Sequence, residues 1–325
     1  MPVRIQRYIA LLSVVLFGGK MLAWWLTGSV TVLTDALEGI VNVVAGFLGL
    51  FSVVMSARPR DTNHPYGHGK VEFISSAVEG TLIIVAGLLI IYEAIHQLMT
   101  PHSIQHLDIG LMIVTGAGVL NFLAGRYAMQ QGKKLHSMVL ESAGSHLLSD
   151  AYSTIAVVAG VGLLLLTNGK YPWLDSTVAL IFAIVTIVTG YRVLRKSLSG
   201  MMDEMDLGTL AKVIDLLQNN RKAQWVDLHN LRVIHYGELL HIDAHLTLPW
   251  YQKVADADRE IHALETLIQS HFSNRVELFI HIDSCMHYQC RICSMHDCPE
   301  RKEPFAEQLE WNTENVWADS KHGKT

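Results

Sequence analysis

Charge is scarce in this chain. Only 17% of its 325 residues are Asp, Glu, Lys or Arg, against 50% hydrophobic residues and a mean hydropathy of +0.27. A soluble globular chain carries about 25% charged residues, so part of this one is matched to lipid. A basic excess is also missing: the net charge is −5, which removes the electrostatic footprint of a nucleic-acid-binding protein. Cysteine is absent outside one stretch, because all four lie between Cys285 and Cys298. Such clustering excludes a secreted domain stapled by disulfides. The start, MPVRIQRYIALLSVVLFGGK, is basic and then apolar like a signal peptide, but it lacks a small-residue cleavage site and its apolar run continues through Trp24, Trp25 and Leu26. A retained first membrane span is expected. No HExxH appears, nor any Ser or Cys nucleophile placed beside a base, which weakens a membrane-embedded metalloenzyme as the alternative reading.

What is present is apolar length. Segments near 8–27, 30–56, 72–98, 108–130, 138–166 and 174–196 meet the roughly 20 residues a helix needs to cross the hydrocarbon core. Residues 1–200 are therefore expected to form an all-α, six-helix membrane bundle. Arg58–Lys70, Arg126–Lys134 and Arg192–Lys196 concentrate basic residues, whereas the links Thr27–Ser29, Thr100–Leu107 and Thr167–Trp173 hold one Lys and no Arg. By the positive-inside rule both termini face the cytoplasm, as expected in a bacterial-type inner (plasma) membrane. Gly46 with Gly49, Gly116 with Gly118, and Gly160 with Gly162 read as close helix packing.

From Met201 the composition turns soluble. Leu207 to Gln218 has helical periodicity, Trp225 to His235 and Leu239 to Leu248 alternate like strands, Val254 to Phe272 is amphipathic, and Arg275 to Ile282 is a third strand. The order α-β-β-α-β predicts a cytoplasmic α+β domain over 201–284. Residues 285–325 hold the cysteine cluster and a polar tail expected to lack a core of its own.

The residues that least belong in an apolar helix are the informative ones. Glu38 and Asn42 stand four apart in the second span, and His146 and Asp150 repeat that spacing in the fifth. An ionisable group at bilayer depth costs about 2.5–3.5 kcal/mol on insertion scales, so it is a functional hypothesis by default. Two helices, each offering two donors on one face, can close a four-ligand cage around a divalent cation.

These stretches resemble a known family, the cation diffusion facilitators. The likeness covers about 8 to 285 and rests on LTGSVTVLTDALEGIVNVVAG, DTNHPYGHGKVE at 61–72, HLLSD in the fifth span and the strand ending HID at 281–283. It implies a six-helix bundle with a cytoplasmic ferredoxin-like α-β-β-α-β domain, working as a homodimer that exports zinc, iron(II) or manganese in exchange for protons. Carried over by position, it implies transport ligands at Glu38, Asn42, His146 and Asp150, a cytoplasm-facing loop site at Asp61, His64 and His68, and soluble-domain ligands at His229, His245, His281 and Asp283. Asp256 stands where relatives often have a further His. The chain also departs from the family at Glu38 and Asn42, where a His or Asp followed by Asp is usual; oxygen donors are harder and suit manganese or iron(II), yet the HLLSD half leaves zinc ahead. Cys285, Cys290, Cys293 and Cys298 lie outside the common family core, and their spacing suits a structural zinc or an iron–sulfur cluster. A metal sensor that binds without transporting is the other rival, for which six spans would be superfluous.

Overall fold

The structure, a computed structural model, describes residues 2–27, 30–99, 107–166, 173–236, 239–272 and 276–324, apart from some side chains within the helices, Glu38 among them. It divides into two units, Met1–Met202 and Asp203–Thr325.

Among the described residues the first unit holds helices α1 (Pro2–Thr27), α2 (Val30–Ser56), α3 (Val71–Met99), α4 (Leu107–Leu135), α5 (Met138–Leu166) and α6 (Trp173–Met201). Two described stretches, Pro2–Leu22 and Val71–His96, are by length and apolarity sufficient to cross a membrane. Leu11, Phe47, Phe51, Leu89, Leu123 and Ile184 are exposed on the outside of the bundle, an apolar perimeter suited to lipid rather than water. Its interior inverts that pattern, with Gln6, Ser76, Glu79, Ser142, His146 and Ser149 buried.

Helices pack as α3 on α6, α4 on α5 and α1 on α2. At the first contact a Cβ added to Gly80 would lie 3.0 Å from the Gly190 carbonyl oxygen, and one added to Gly190 would lie 2.8 Å from that of Gly80. Only glycine permits this backbone approach. Gly46, Gly49 and Gly118 are likewise hemmed in, whereas Gly116 has nothing within 4 Å, so packing does not explain that position.

The second unit runs α7 (Leu207–Asn219), β1 (Asp227–Tyr236), β2 (Leu239–Leu248), α8 (Val254–Phe272), β3 (Val276–Ser284) and a 3-10 turn at His287–Arg291. Asp206 caps α7 by accepting from the backbone N–H of Gly208 at 3.0 Å and of Thr209 at 3.2 Å, satisfying N–H groups that a helix start leaves unpaired. The buried stripe Leu210, Val213, Ile214 and Leu217 follows the 3.6-residue period. The sheet order is β1-β2-β3, with β1 antiparallel and β3 parallel to β2.

The tail has no separate core among the described residues but joins that of the second unit. Trp311 and Val316 are buried in the same core as Leu228, Ile242 and Leu246, and the Arg221 guanidinium stacks 3.9 Å over the Trp311 ring. Backbone bonds from Asn230 N–H to Ala318 O and from Leu231 N–H to Val316 O, both 2.8 Å, fasten the tail where β1 bulges between His229 and Arg232. The irregular edge of β1 supplies the unpaired groups that a polar tail can satisfy.

Candidate metal centres

In the bundle, three of the four expected transport ligands meet. The Asn42 amide on α2 donates through Nδ2 to Asp150 Oδ2 on α5 at 2.6 Å, and His146 Nε2 lies 2.6 Å from Asn42 Oδ1. With the amide in this orientation, Nε2 is the protonated nitrogen. His146 Nε2 is also 4.0 Å from Asp150 Oδ1. The His146 ring is buried, and its Nδ1 has no hydrogen-bond partner among the described residues. The Glu38 side chain lies outside the described residues, and its helix position one turn before Asn42 is what places it on this face.

Two buried carboxylates of the bundle were not singled out as functional in the sequence. Glu72 is buried at the start of α3 and accepts from Ser56 Oγ at 2.7 Å and Ser137 Oγ at 2.8 Å, and from the backbone N–H of Met138 and Val139. It thereby caps α5, the helix that carries His146 and Asp150. Glu79, also on α3, is buried beside Ser142 of α5. The cue for Glu79 was an acid inside an apolar span.

Asp61, His64 and His68 in the α2–α3 loop offer ligand atoms all within 4.8 Å of one another. Asp61 Oδ1 accepts from the backbone N–H of Asn63 at 2.9 Å and of His64 at 2.7 Å. The His64 N–H bond holds the exposed carboxyl below its ordinary range. Its other oxygen faces His68 Nε2 at 3.4 Å, and Gly67, at φ +90, turns the chain back toward it.

In the second unit His229, His245 and His281 are aligned across β1, β2 and β3, since His229 pairs with His245 and His245 with His281. Asp227, Thr247 and Asp283 form the next row on that face, two residues on. His229, His245 and Asp283 offer ligand atoms within 4.8 Å of one another, with Asp283 Oδ2 at 3.2 Å from both His229 Nε2 and His245 Nδ1. The His281 ring lies beside His245, centroids 4.7 Å apart, outside that tight group. Asp256 is also outside it; it accepts from the Lys253 N–H at 3.3 Å and pairs with Arg259 at the start of α8.

Three further residues frame this site. Asp227, fully buried, lies 3.6 Å from His229 Nδ1 and accepts from His322 N–H and Nδ1, both at 2.8 Å. Lys321 Nζ sits 3.1 Å from Asp283 Oδ1. Burial pushes the His229 imidazole below its ordinary range and so favours the neutral, ligating form. Burial acts upward on the Asp283 carboxyl, but Lys321, His229 and His245 together outweigh it and keep the group low. The hydrogen bond to Asp227 raises His322. Asp227 was legible as the alternate partner of His229 on a strand; Lys321 and His322, about 40 and 95 positions from the groups they touch, carried no local signal.

Cys285, Cys290, Cys293 and Cys298 are all free thiols and line one cavity of about 200 Å³.

Residues 7–202 match the cation efflux transmembrane domain, and residues 208–285 match the cytoplasmic domain of cation efflux proteins. An uncharacterised transporter of Synechocystis sp. is 31% identical over 272 residues, covering 82% of this chain and 87% of its own. Zinc transporter ZitB of Yersinia pestis is 24% identical, covering 84% and 83%. Cation-efflux pump FieF of Pectobacterium atrosepticum is 26% identical, covering 83% and 89%. The chain belongs to the cation efflux family, the cation diffusion facilitators, which are membrane transporters of metal ions.

Proposed function

We propose that this chain exports divalent cations in exchange for protons, with zinc favoured over iron(II) and manganese, through a site of Glu38, Asn42, His146 and Asp150. The observation that carries the reading is the meeting of Asn42, His146 and Asp150 between α2 and α5, at 2.6 Å contacts inside the bundle. The names of the zinc transporter and cation-efflux pump relatives support divalent metal cargo.

Exchange follows from ligand chemistry. A cation takes imidazole nitrogen without its proton and carboxylate in its ionised form, so loading displaces protons and unloading recovers them. Here His146 Nε2 holds a hydrogen in its bond to Asn42. Ligation at Nε2 needs that nitrogen bare, so a neutral ring carries its hydrogen on Nδ1 in the loaded state, and a doubly protonated ring gives one proton up. All six helices cross the membrane in this reading, both termini lie in the cytoplasm, and the second unit pairs two copies into a homodimer. Cytoplasmic cation at His229, His245, His281 and Asp283 tightens that pairing, and Asp61, His64 and His68 collect ions at the cytoplasmic mouth.

A flux panel in proteoliposomes tests this. Zinc uptake exceeding that of iron(II) and manganese, and rising with an opposed pH gradient, is the expected outcome; uptake indifferent to the gradient would remove the exchange.

A further inference from the structure

The cysteine segment takes no part in transport as proposed, yet it is built around its sulfurs. Each accepts one hydrogen bond: Cys290 Sγ from the Lys302 N–H at 3.4 Å, Cys298 Sγ from the Tyr251 hydroxyl at 3.6 Å, Cys285 from the Trp250 N–H and Cys293 from the Met295 N–H. A neutral thiol is a weak acceptor. Four such donors converge on one cavity, where they would stabilise metal-bound thiolates against the burial that pushes the free Cys285 and Cys293 thiols up. The Arg301 guanidinium donates to the carbonyl oxygens of Cys290 at 2.7 Å, Cys293 at 2.9 Å and Met295 at 2.8 Å, which closes the loop and sets a fixed positive charge beside the sulfurs. Otherwise the segment has one 3-10 turn of five residues, and Cys293 is its only buried hydrophobic residue. So little apolar surface does not order a loop unaided, and small elements of this kind are stapled by disulfides or metal. The free thiols exclude the disulfide.

We propose that Cys285, Cys290, Cys293 and Cys298 hold a resident thiophilic metal centre through four thiolates, a zinc ion or an iron–sulfur cluster, that fastens residues 285–324 to the sheet. The four sulfurs are not drawn into the 4.8 Å grouping that gathers His229, His245 and Asp283. Tetrahedral zinc with bonds of about 2.3 Å would therefore pull them inward, whereas a cluster spans a wider set. The centre sits at the end of β3. Cys285 N–H bonds to Leu248 O at 2.8 Å, and the Gln289 amide reaches Asp227 at 3.2 Å, so losing the metal loosens the strand that carries Asp283.

The test uses the full-length protein purified in detergent both aerobically and anaerobically. Metal and acid-labile sulfide are measured beside the Cys290→Ser/Cys293→Ser variant, and thiols are titrated with Ellman's reagent. One zinc per chain without sulfide, or iron with matching sulfide and visible absorption, lost in the variant while flux persists, supports the centre and identifies its occupant. Should the variant not fold, the wild type still decides. Native thiols slower than denatured ones by about tenfold or more, and released by a chelator, support ligation; four freely reacting thiols with neither metal retained overturn it. Cobalt(II) reconstitution gives an independent readout, since thiolate-to-cobalt charge-transfer absorption appears only if the sulfurs bind.

Discussion

Asn42 and Asp150 stand 108 positions apart in sequence and 2.6 Å apart in the bundle. The amide also faces His146 Nε2 at 2.6 Å, so one neutral side chain joins the two ionisable groups. Asn42→Leu leaves both without that partner and is expected to weaken cation affinity roughly 10- to 100-fold, the equivalent of about 1.4–2.8 kcal/mol. Asn42→Asp adds an anionic oxygen in nearly the same shape and is expected to restore binding. Competitive zinc uptake measures both; equal behaviour of the two variants would place Asn42 outside the site.

The Gly80 and Gly190 contact sets how closely α3 and α6 approach. Gly190→Leu forces side-chain atoms against the Gly80 carbonyl and Ile84, and overpacking of this sort costs about 1–3 kcal/mol or more. Gly116→Ala meets nothing within 4 Å and is expected to be neutral or stabilising by up to ~1 kcal/mol. Melting in detergent checks the contrast, and similar shifts for the two variants would refute the close-approach account.

Lys321 competes with a cation for Asp283. Its ammonium is 3.1 Å from Oδ1 and part-exposed, a pair worth at most about 1 kcal/mol. Lys321→Met is therefore expected to tighten zinc binding in the second unit by about two- to fivefold. Calorimetric titration in an Asp150→Ala background, which removes the transport site, reads this directly, and unchanged affinity would show that the tail leaves Asp283 available.

His322 makes the domain's stability depend on pH. Its hydrogen bond to Asp227 raises the folded-state pKa above the ordinary value, so the folded state binds the proton more tightly. That stabilisation is fully present below about pH 6.5 and is lost as pH rises through the raised value. The gap in Tm between wild type and His322→Ala should accordingly narrow from mildly acidic to alkaline pH. A gap that widens with pH would reverse the assignment.

Much of this architecture was readable in advance, and the misses have physical causes. Leu239–Leu248 and Val254–Phe272 were placed to the residue, because strict alternation and a clear apolar stripe mark both. The ends of α4 and α6 were read short. α4 runs on to Leu135 through Gln131, Lys133 and Lys134, which end an apolar run but are good helix formers, and α6 runs on to Met201 through Ser197, Ser199 and Gly200, which carry no apolar signal. His146 and Asp150 stood out because ionisable groups are rare in apolar helices, and pairing across to Asn42 was suggested by the matching i, i+4 spacing and implied by the family resemblance. Trp311, Lys321 and His322 could not be placed that way: their partners are Arg221, Asp283 and Asp227, reached by tertiary packing that no short-range pattern encodes. Glu72 was visible in the loop motif, but its role as a cap on α5 depends on Ser137 and the helix start 65 residues later.

Coupled flux through Asp150 decides the central reading most directly. In proteoliposomes loaded with a pH indicator and a zinc indicator, wild type is expected to move zinc and protons in opposite directions at a fixed ratio. Asp150→Ala, correctly folded by its elution profile and melting curve, is expected to lose both signals together, by about tenfold or more given the loss of an anionic ligand. Zinc flux and proton counterflow that persist in this variant would contradict an ion site between α2 and α5.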